Sequence, residues 1–472
     1  MDEKIFQKIV RIVGQDNCSR DLEELHCYSY DSSKQTFLPD AVALPNSTAQ
    51  VAALVRLANE HLFPIVARGA GSGTTGGALP TAGGLVLSCA RLNHILEIDS
   101  DNQIAIVEPG VITGEFQQTL KKHNLMYAPD PASLKFCTLG GNAAECAGGP
   151  SAIKYGVTKD SIIGLEVVLA NGETLTTGTR TEKGVVGYDL TRLFIGSEGT
   201  LGIITKIITR LLPLPEHKET FLLQSSSLQK ATELVAIILQ HNILPCTLEY
   251  LDKTALRLVS DLLPNQPEDD IQAMLIIEID GSRQHVEEQS NRLKTLTAEE
   301  NTCTLQQATT EEDIREIWLA RRSISQASFK LSPYKTSEDV VVPRNLIPEL
   351  VHFCEDLAKD LKITILTFGH AGDGNIHVNI MAADGSAQES TKSVKAKTAL
   401  FHKVISMGGS LSGEHGVGIT KAPFISLELD KTSIMVMRQL KNMFDPKNIM
   451  NPGKIFPDNE SNDIHPGSSK IH

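Results

Sequence analysis

Closely spaced cysteine pairs are missing from this sequence. Its eight cysteines (Cys18, Cys27, Cys89, Cys137, Cys146, Cys246, Cys303 and Cys354) are scattered, with no C-x-x-C pair. That excludes the usual iron–sulfur framework and fits reduced thiols in a cytoplasmic protein. No stretch approaches the roughly 18 uncharged apolar residues of a membrane helix. The start, Met1-Asp2-Glu3-Lys4-Ile5-Phe6, lacks the basic segment and apolar run of a secretory signal. A cytoplasmic chain with no transmembrane segment is therefore expected. Basic excess is lacking too: the net charge of −13 argues against nucleic acid and anionic lipid as partners. A small anionic substrate stays compatible, provided positive charge is placed in its pocket. Tryptophan occurs once, as Trp318, and a packed helix face accounts for it.

What is present is an ordinary globular composition, 41% hydrophobic and 21% charged, over 472 residues. That length implies more than one domain. Ser47-Thr48-Ala49-Gln50 reads as a capping box, and Val51, Leu54, Val55, Ala58 and Leu62 follow at helical spacing. Residues 63–67, 85–88 and 104–107 read as short strands. The dipeptide Asn171-Gly172 predicts a hairpin between 165–170 and 173–177. Leu211 to Glu216, with two prolines, reads as a linker. Beyond it, helices are expected over 229–241, 284–299, 312–329, 346–361, 391–407 and 432–444, and strands over 274–279, 363–368 and 376–380. Residues 458–472 are polar and without periodicity, an expected frayed tail.

Glycine is concentrated in three clusters. Gly71-Ser72-Gly73-Thr74-Thr75-Gly76 matches G-x-G-x-x-G, but Pro80, Gly83 and Gly84 follow, and then a strand. The dinucleotide fingerprint needs a helix there, so a nicotinamide-dependent dehydrogenase is not supported. A loop joining two strands can instead form an anion-binding nest, although such a loop alone is more often a plain turn. Thr138 to Gly149 and Gly196 to Ile204 are the other clusters. Three such stretches suit a large ligand with both a diphosphate and a ring system.

The run Arg68-Gly69-Ala70-Gly71-Ser72-Gly73-Thr74-Thr75-Gly76-Gly77-Ala78 resembles the phosphate loop of the vanillyl-alcohol-oxidase type FAD domain. Pro129-Asp130-Pro131-Ala132-Ser133, the 138–149 cluster, Lys154-Tyr155-Gly156-Val157, Tyr188-Asp189-Leu190 and Gly196 to Thr205 agree with it in order. Together, over almost the whole chain, they resemble the glycolate oxidase / D-lactate dehydrogenase branch. The resemblance implies that Arg68, Gly69, Ala70, Gly71, Ser72, Gly73, Thr74 and Gly77 cradle the FAD pyrophosphate. Ser133, Thr138, Gly141, Gly148, Gly149 and Ile204 would line the rest of the cofactor, with Pro129 and Gly202 in the same set. Some relatives attach FAD through a histidine in the phosphate loop. This loop has none, so non-covalent FAD is expected.

The resemblance also implies an α+β fold. A PCMH-type FAD-binding domain of two α+β subdomains is expected over 1–215, and a substrate cap of antiparallel sheet and helices over 216–430. A C-terminal helix would return to the FAD domain within 431–472, with the polar tail.

His370-Ala371-Gly372-Asp373-Gly374-Asn375-Ile376-His377 places two histidines seven apart across a tight turn. An odd separation on a regular strand sends side chains to opposite faces. The Gly-Asp-Gly turn breaks that alternation and lets them converge. Gly413-Glu414-His415-Gly416 adds a Glu-His pair on a constrained loop. Two histidines and a carboxylate match a divalent-metal site; on residue types alone, buried structural histidines fit as well. The resemblance implies that His370, His377 and Glu414 bind a divalent metal (Zn, Mn or Fe) and that His415 is the base. It also implies that Arg321, in Trp318-Leu319-Ala320-Arg321, and Asn379 meet the substrate. Arg322 beside it, and Lys335 further along the chain, are the alternative cations.

The activity implied is oxidation of a small D-2-hydroxy acid (glycolate, D-lactate or D-2-hydroxyglutarate class) to the 2-keto acid. A separate electron acceptor is expected: a quinone, an electron-transfer flavoprotein or an iron–sulfur subunit. Molecular oxygen and a homodimer stay open. Two competitors share the fold: a non-redox transferase resembling alkyl-dihydroxyacetonephosphate synthase, and a structural FAD-binding subunit of a larger oxidase.

Overall fold

The computed structural model describes residues 1–457; the polar tail at 458–472 lies outside them. The chain divides into two compact units. Among the described residues, one holds Met1–Gly149, Gly156–Leu214 and 414–457; the other holds Pro150–Tyr155 and Pro215–Gly413.

The first unit contains two sheets. A four-stranded sheet has the order Cys18–Ser19, Ala41–Ala43, Leu85–Ser88, Ile65–Arg68, with the last three strands parallel. The helix Thr48–His61 supplies the crossover into this sheet's last strand. Ser47 accepts its Gln50 N–H, while the Gln50 side chain reaches Asn46 N–H rather than closing the box on Ser47. Val51, Leu54, Val55 and Ala58 form its buried stripe, each large side chain worth roughly 1.5–3 kcal/mol of burial. The second sheet is antiparallel, in the order Ile95–Asp99, Ile104–Val107, Ile203–Arg210, Ile162–Val168, Thr174–Gly178. The hairpin expected around Asn171-Gly172 is its last pair.

The C-terminal stretch is stitched into this unit. Ile65 N–H donates to the Ile449 carbonyl, Asn451 N–H donates to the Ile65 carbonyl, and Met450 forms a parallel bridge with Ile65. The buried Lys441 ammonium donates to the Thr200 and Met450 carbonyls and pairs with Asp445.

The second unit is built on one seven-stranded antiparallel sheet. Its order is Cys303–Ala308, His217–Ser225, Ala273–Gly281, Thr247–Asp252, Thr364–His370, Asn375–Met381, Lys335–Val341. The helix Glu311–Ala327 starts with a capping box between Thr310 and Asp313. Its Ile317, Ala320 and Ile324 pack on Leu251, Ile276, Leu366, Phe368 and Met381 of one sheet face.

The long helices fall within a residue or a few of their expected bounds, for example Leu228–Gln240, Ile347–Leu361 and Lys431–Phe444. Within the 138–149 cluster, Leu139–Glu145 forms a short helix that is not among the expected elements, begun by Thr138, whose hydroxyl accepts Gly141 N–H. Two adjacent glycines mask it in the sequence. The expected linker holds a two-residue strand, Leu212–Pro213, paired with Leu125–Met126. All eight cysteines are free thiols. No helix among the described residues is long and apolar enough to cross a membrane.

Candidate functional site

In the first unit the glycine loop runs between Ile65–Arg68 and Leu85–Ser88, two parallel neighbours, with no helix after it. Arg68 closes the first strand and is buried; its Nη2 donates to the Tyr30 carbonyl at 2.7 Å. Its Nη1 and the Thr74 hydroxyl are buried without a hydrogen-bond partner. An unsatisfied guanidinium nitrogen and a hydroxyl on a glycine loop fit a diphosphate. Thr138 comes so close to this loop that a Cβ at Gly69 would stand 2.4 Å from its hydroxyl oxygen. At Gly149 a Cβ would stand 2.6 Å from the Asp130 carbonyl. Pro129 turns its carbonyl to the Gln117 amide at 2.9 Å, and the Ser133 carbonyl accepts the Phe136 and Cys137 N–H groups. Gly202 and Ile204 lie at the start of Ile203–Arg210, where Gly202 passes against Val167. The expected cofactor residues therefore all belong to this unit, and the phosphate loop, Thr138 and Gly141 lie close together.

The loop after Glu414 is tied to the same glycine stretches. The His415 carbonyl accepts the Thr75 hydroxyl at 3.0 Å, and the Thr75 carbonyl accepts N–H groups from Ile419 and Thr420. Glu198 receives Val417 N–H at 2.7 Å and Gly418 N–H at 2.8 Å, one on each oxygen. Glu145 lies alongside: a Cβ at Gly416 would meet its Oε2 at 2.1 Å and Glu198 Oε1 at 3.1 Å. Burial pushes the Glu145 carboxyl well above the ordinary carboxylate range, and repulsion from Glu198 and Asp31 adds to it. Burial also raises Glu198, against the pull of its two backbone donors. His415 is thus carried on a segment anchored to Thr75 of the phosphate loop and to Glu198.

In the second unit, strand pairing puts the expected site side chains on one sheet face. Phe368 is opposite His377, Leu366 opposite Asn379, and Tyr250 opposite Gly369. Period two then sets Glu249 and Leu251 on the face of Leu366, Phe368 and His370. This is the face covered by Glu311–Ala327, from which Arg321 reaches inward. The His370 and His377 rings stand 5.1 Å apart, edge to face, so the Gly-Asp-Gly turn does bring them together. Asp339, opposite His377, accepts the N–H of Gly413 at 2.9 Å. That bond fixes where the chain leaves the sheet, and the next residue is Glu414. His370, His377 and Glu414 each offer one ligand atom, all within 4.8 Å of one another. Two imidazoles and a carboxylate at this spacing fit one divalent cation.

Glu249 is the residue that sequence reasoning missed. Fully buried, it places Oε1 2.6 Å from His370 Nδ1 and takes the Arg321 Nε–H on Oε2, also at 2.6 Å. Burial works to raise its pKa, but Arg321 and His370 prevail and hold it below the usual glutamate value. The signal in Thr-Leu-Glu-Tyr-Leu-Asp is an acid on the same strand face as Leu251. Arg321 is itself buried and stacks 5.1 Å from the Phe368 ring centroid. Its Nη2 lies 2.5 Å from the same Glu249 oxygen, outside a hydrogen-bonding angle. Asn379 accepts the Ser337 hydroxyl at 2.7 Å, and its buried Nδ2 has no partner. Lys335 points elsewhere, to Ser325 at 2.8 Å.

A strand–glycine-loop–strand cradle in one unit and a helix-covered antiparallel sheet in the other define an FAD-binding α+β protein of the PCMH type. Solved structures share this fold. Alkyldihydroxyacetonephosphate synthase aligns with a TM-score of 0.77 at 20% identity, over 96% of this chain and 85% of that one. Substrate-bound p-cresol methylhydroxylase aligns with a TM-score of 0.79 at 17% identity, over 96% of both. Residues 39–178 match the FAD binding domain family, and residues 214–455 match the family described as FAD linked oxidases, C-terminal domain. Glycolate oxidase subunit GlcD of Bacillus subtilis is 42% identical over 96% of this chain and 96% of its own. GlcD of Escherichia coli K12 is 33% identical over 92% and 87%, and D-lactate dehydrogenase of Anaerostipes hadrus 33% over 88% and 89%. The chain belongs to the FAD-linked oxidase family, and it is an FAD-linked oxidoreductase.

Proposed function

We propose that this enzyme oxidises a small D-2-hydroxy acid of the glycolate, D-lactate or D-2-hydroxyglutarate class to the 2-keto acid. The carrying observation is the His370, His377 and Glu414 ligand set within 4.8 Å, followed directly in sequence by His415. Relatives named for glycolate and D-lactate support the substrate class. When bound, FAD supplies a hydride acceptor, and a divalent cation (Zn, Mn or Fe) makes an alcohol proton easier to remove.

The protein's own groups do the rest. His415 takes the hydroxyl proton at an imidazole nitrogen; a histidine with a pKa of about 6.5 suits that task near neutral pH. Arg321 and Asn379 orient the substrate carboxylate; the buried Asn379 Nδ2 is still open to an acceptor, and Arg321 brings the positive charge. Arg68 and Thr74 hold the cofactor diphosphate. The phosphate loop has no histidine to attach flavin, so FAD is held non-covalently. Electrons then pass to a separate acceptor, a quinone, an electron-transfer flavoprotein or an iron–sulfur subunit, in keeping with relatives named as subunits.

The test is anaerobic flavin absorbance of metal-replete protein mixed with glycolate, D-lactate, L-lactate and D-2-hydroxyglutarate in turn. Rapid bleaching by one acid, abolished in His415→Ala, is expected. Bound flavin that no acid reduces would overturn the proposal.

A further inference from the structure

We infer that Glu249 is a positioning residue that sets, with one carboxylate oxygen each, the ring nitrogen His370 presents and the orientation of the Arg321 guanidinium. The inference rests on the metal and carboxylate roles proposed above for those two side chains, and deepens them.

The geometry is local to the sheet. Glu249 lies in Thr247–Asp252, beside Thr364–His370, and Tyr250 pairs with Gly369. His370 therefore falls next to Glu249 on the shared face, while Arg321 comes down from the covering helix. Oε1 faces His370 Nδ1 at 2.6 Å, and Oε2 takes the Arg321 Nε–H at 2.6 Å. A carboxylate can only accept, so Nδ1 carries the proton and Nε2 is left with its lone pair, the form a metal ligand needs. The same carboxylate neutralises a guanidinium that is buried against the Phe368 ring. One acid thereby aligns two functions that lie 49 residues apart in sequence, Arg321 and His370.

Replacement by glutamine separates the two oxygens chemically. An amide has one acceptor oxygen where the carboxylate has two. With that oxygen on the Arg321 cation, the NH2 faces His370 Nδ1 and forces the proton to Nε2. Glu249→Asp keeps both acceptors but withdraws them by one methylene.

The experiment compares wild type, Glu249→Gln and Glu249→Asp, each as full-length flavoprotein. Ring-15N histidine spectra, with the His370 signal identified by its loss in His370→Gln, read the tautomer directly. Zn2+ affinity is measured by competition with a chelator. Expected are an Nδ1-protonated His370 in wild type, a shift to Nε2–H in Glu249→Gln, and Zn2+ affinity weaker by about 10–100-fold. Glu249→Asp should fall between, and flavin content should stay at the wild-type level in all three. An unchanged tautomer in Glu249→Gln overturns the inference. Should wild type bind no Zn2+, the metal role proposed for His370 fails, and the ring spectra still decide the role of Glu249.

Discussion

Two buried glutamates, Glu198 in the flavin-binding unit and Glu249 in the sheet, are held in opposite ways. Glu198 is met by backbone, the N–H groups of Val417 and Gly418. Glu249 is met by side chains, His370 and Arg321. Burial raises the first, whereas the Arg321 guanidinium and the His370 ring hold the second below its usual value. The two regions follow the same division. The flavin side is made largely of main chain brought close by glycines, with a few orphaned polar groups facing the loop. The sheet side is made of side chains that neighbouring strands bring into register. Backbone sites fail when a Cβ is added; side-chain sites fail when a partner is removed.

The largest effect is expected where the two designs meet in sequence, at His415. Its backbone is part of the anchored loop, while its imidazole is the proposed base. His415→Ala should leave flavin bound and slow flavin reduction by about 10²–10⁴-fold, the usual contribution of a positioned general base. Stopped-flow measurement of the reductive half-reaction checks this, and a wild-type rate would remove His415 from the chemistry.

Two glycine substitutions then separate the regions. Gly418 has φ +53° and would place a Cβ 2.1 Å from the Thr75 carbonyl; Gly374 has φ +88° and would place one 2.2 Å from the Val342 carbonyl. Alanine at either costs roughly 1–3 kcal/mol for the backbone alone. Gly418→Ala is expected to lose flavin on gel filtration. Gly374→Ala is expected to retain flavin and lose bound metal. If each variant loses both ligands, the division between a backbone region and a side-chain region does not hold. A smaller effect is expected at Arg321. Arg321→Lys keeps the charge but not the planar fork, so KM for the hydroxy acid should rise about tenfold, with kcat changed less. The reverse split would assign Arg321 to the reacting atoms rather than to substrate orientation.

Most of this fold could be read locally. Helical periodicity located the long helices, and Pro80, Gly83 and Gly84 showed that the first glycine loop joins two strands. The Gly-Asp-Gly turn announced that His370 and His377 converge. What escaped was set by pairing at long range. Glu249 stands 121 residues from His370 in sequence, and only strand order makes them neighbours. Asp339 gives no hint in sequence that it holds the Gly413 N–H. The helix Leu139–Glu145 was hidden because glycine weighs against helix, while packing and the Thr138 cap outweigh that preference.

The smallest effect sharpens the comparison within a single strand. Asp252 lies three residues beyond Glu249, half-buried where Glu249 is fully buried, and forms no ion pair among the described residues. Its partners are Ala255 N–H at 2.7 Å, Thr367 N–H at 2.5 Å and the Thr367 hydroxyl. Burial raises its carboxyl to about 6, against those hydrogen bonds. The unfolded chain releases this proton near pH 4, while the folded protein keeps it until about pH 6. Between those values the native state binds more protons, so this group makes folding less favourable as pH rises. Glu249 acts in the other direction, since a depressed pKa removes stability as pH falls. Asp252→Asn should therefore lose a constant increment for its missing acceptor and gain relative to wild type across pH 4–6. Melting temperatures at half-unit intervals read this as a difference that changes by roughly a few degrees over the window and is flat above it. A difference that stays constant from pH 4 to 8 would mean that the backbone donors alone keep Asp252 ionised.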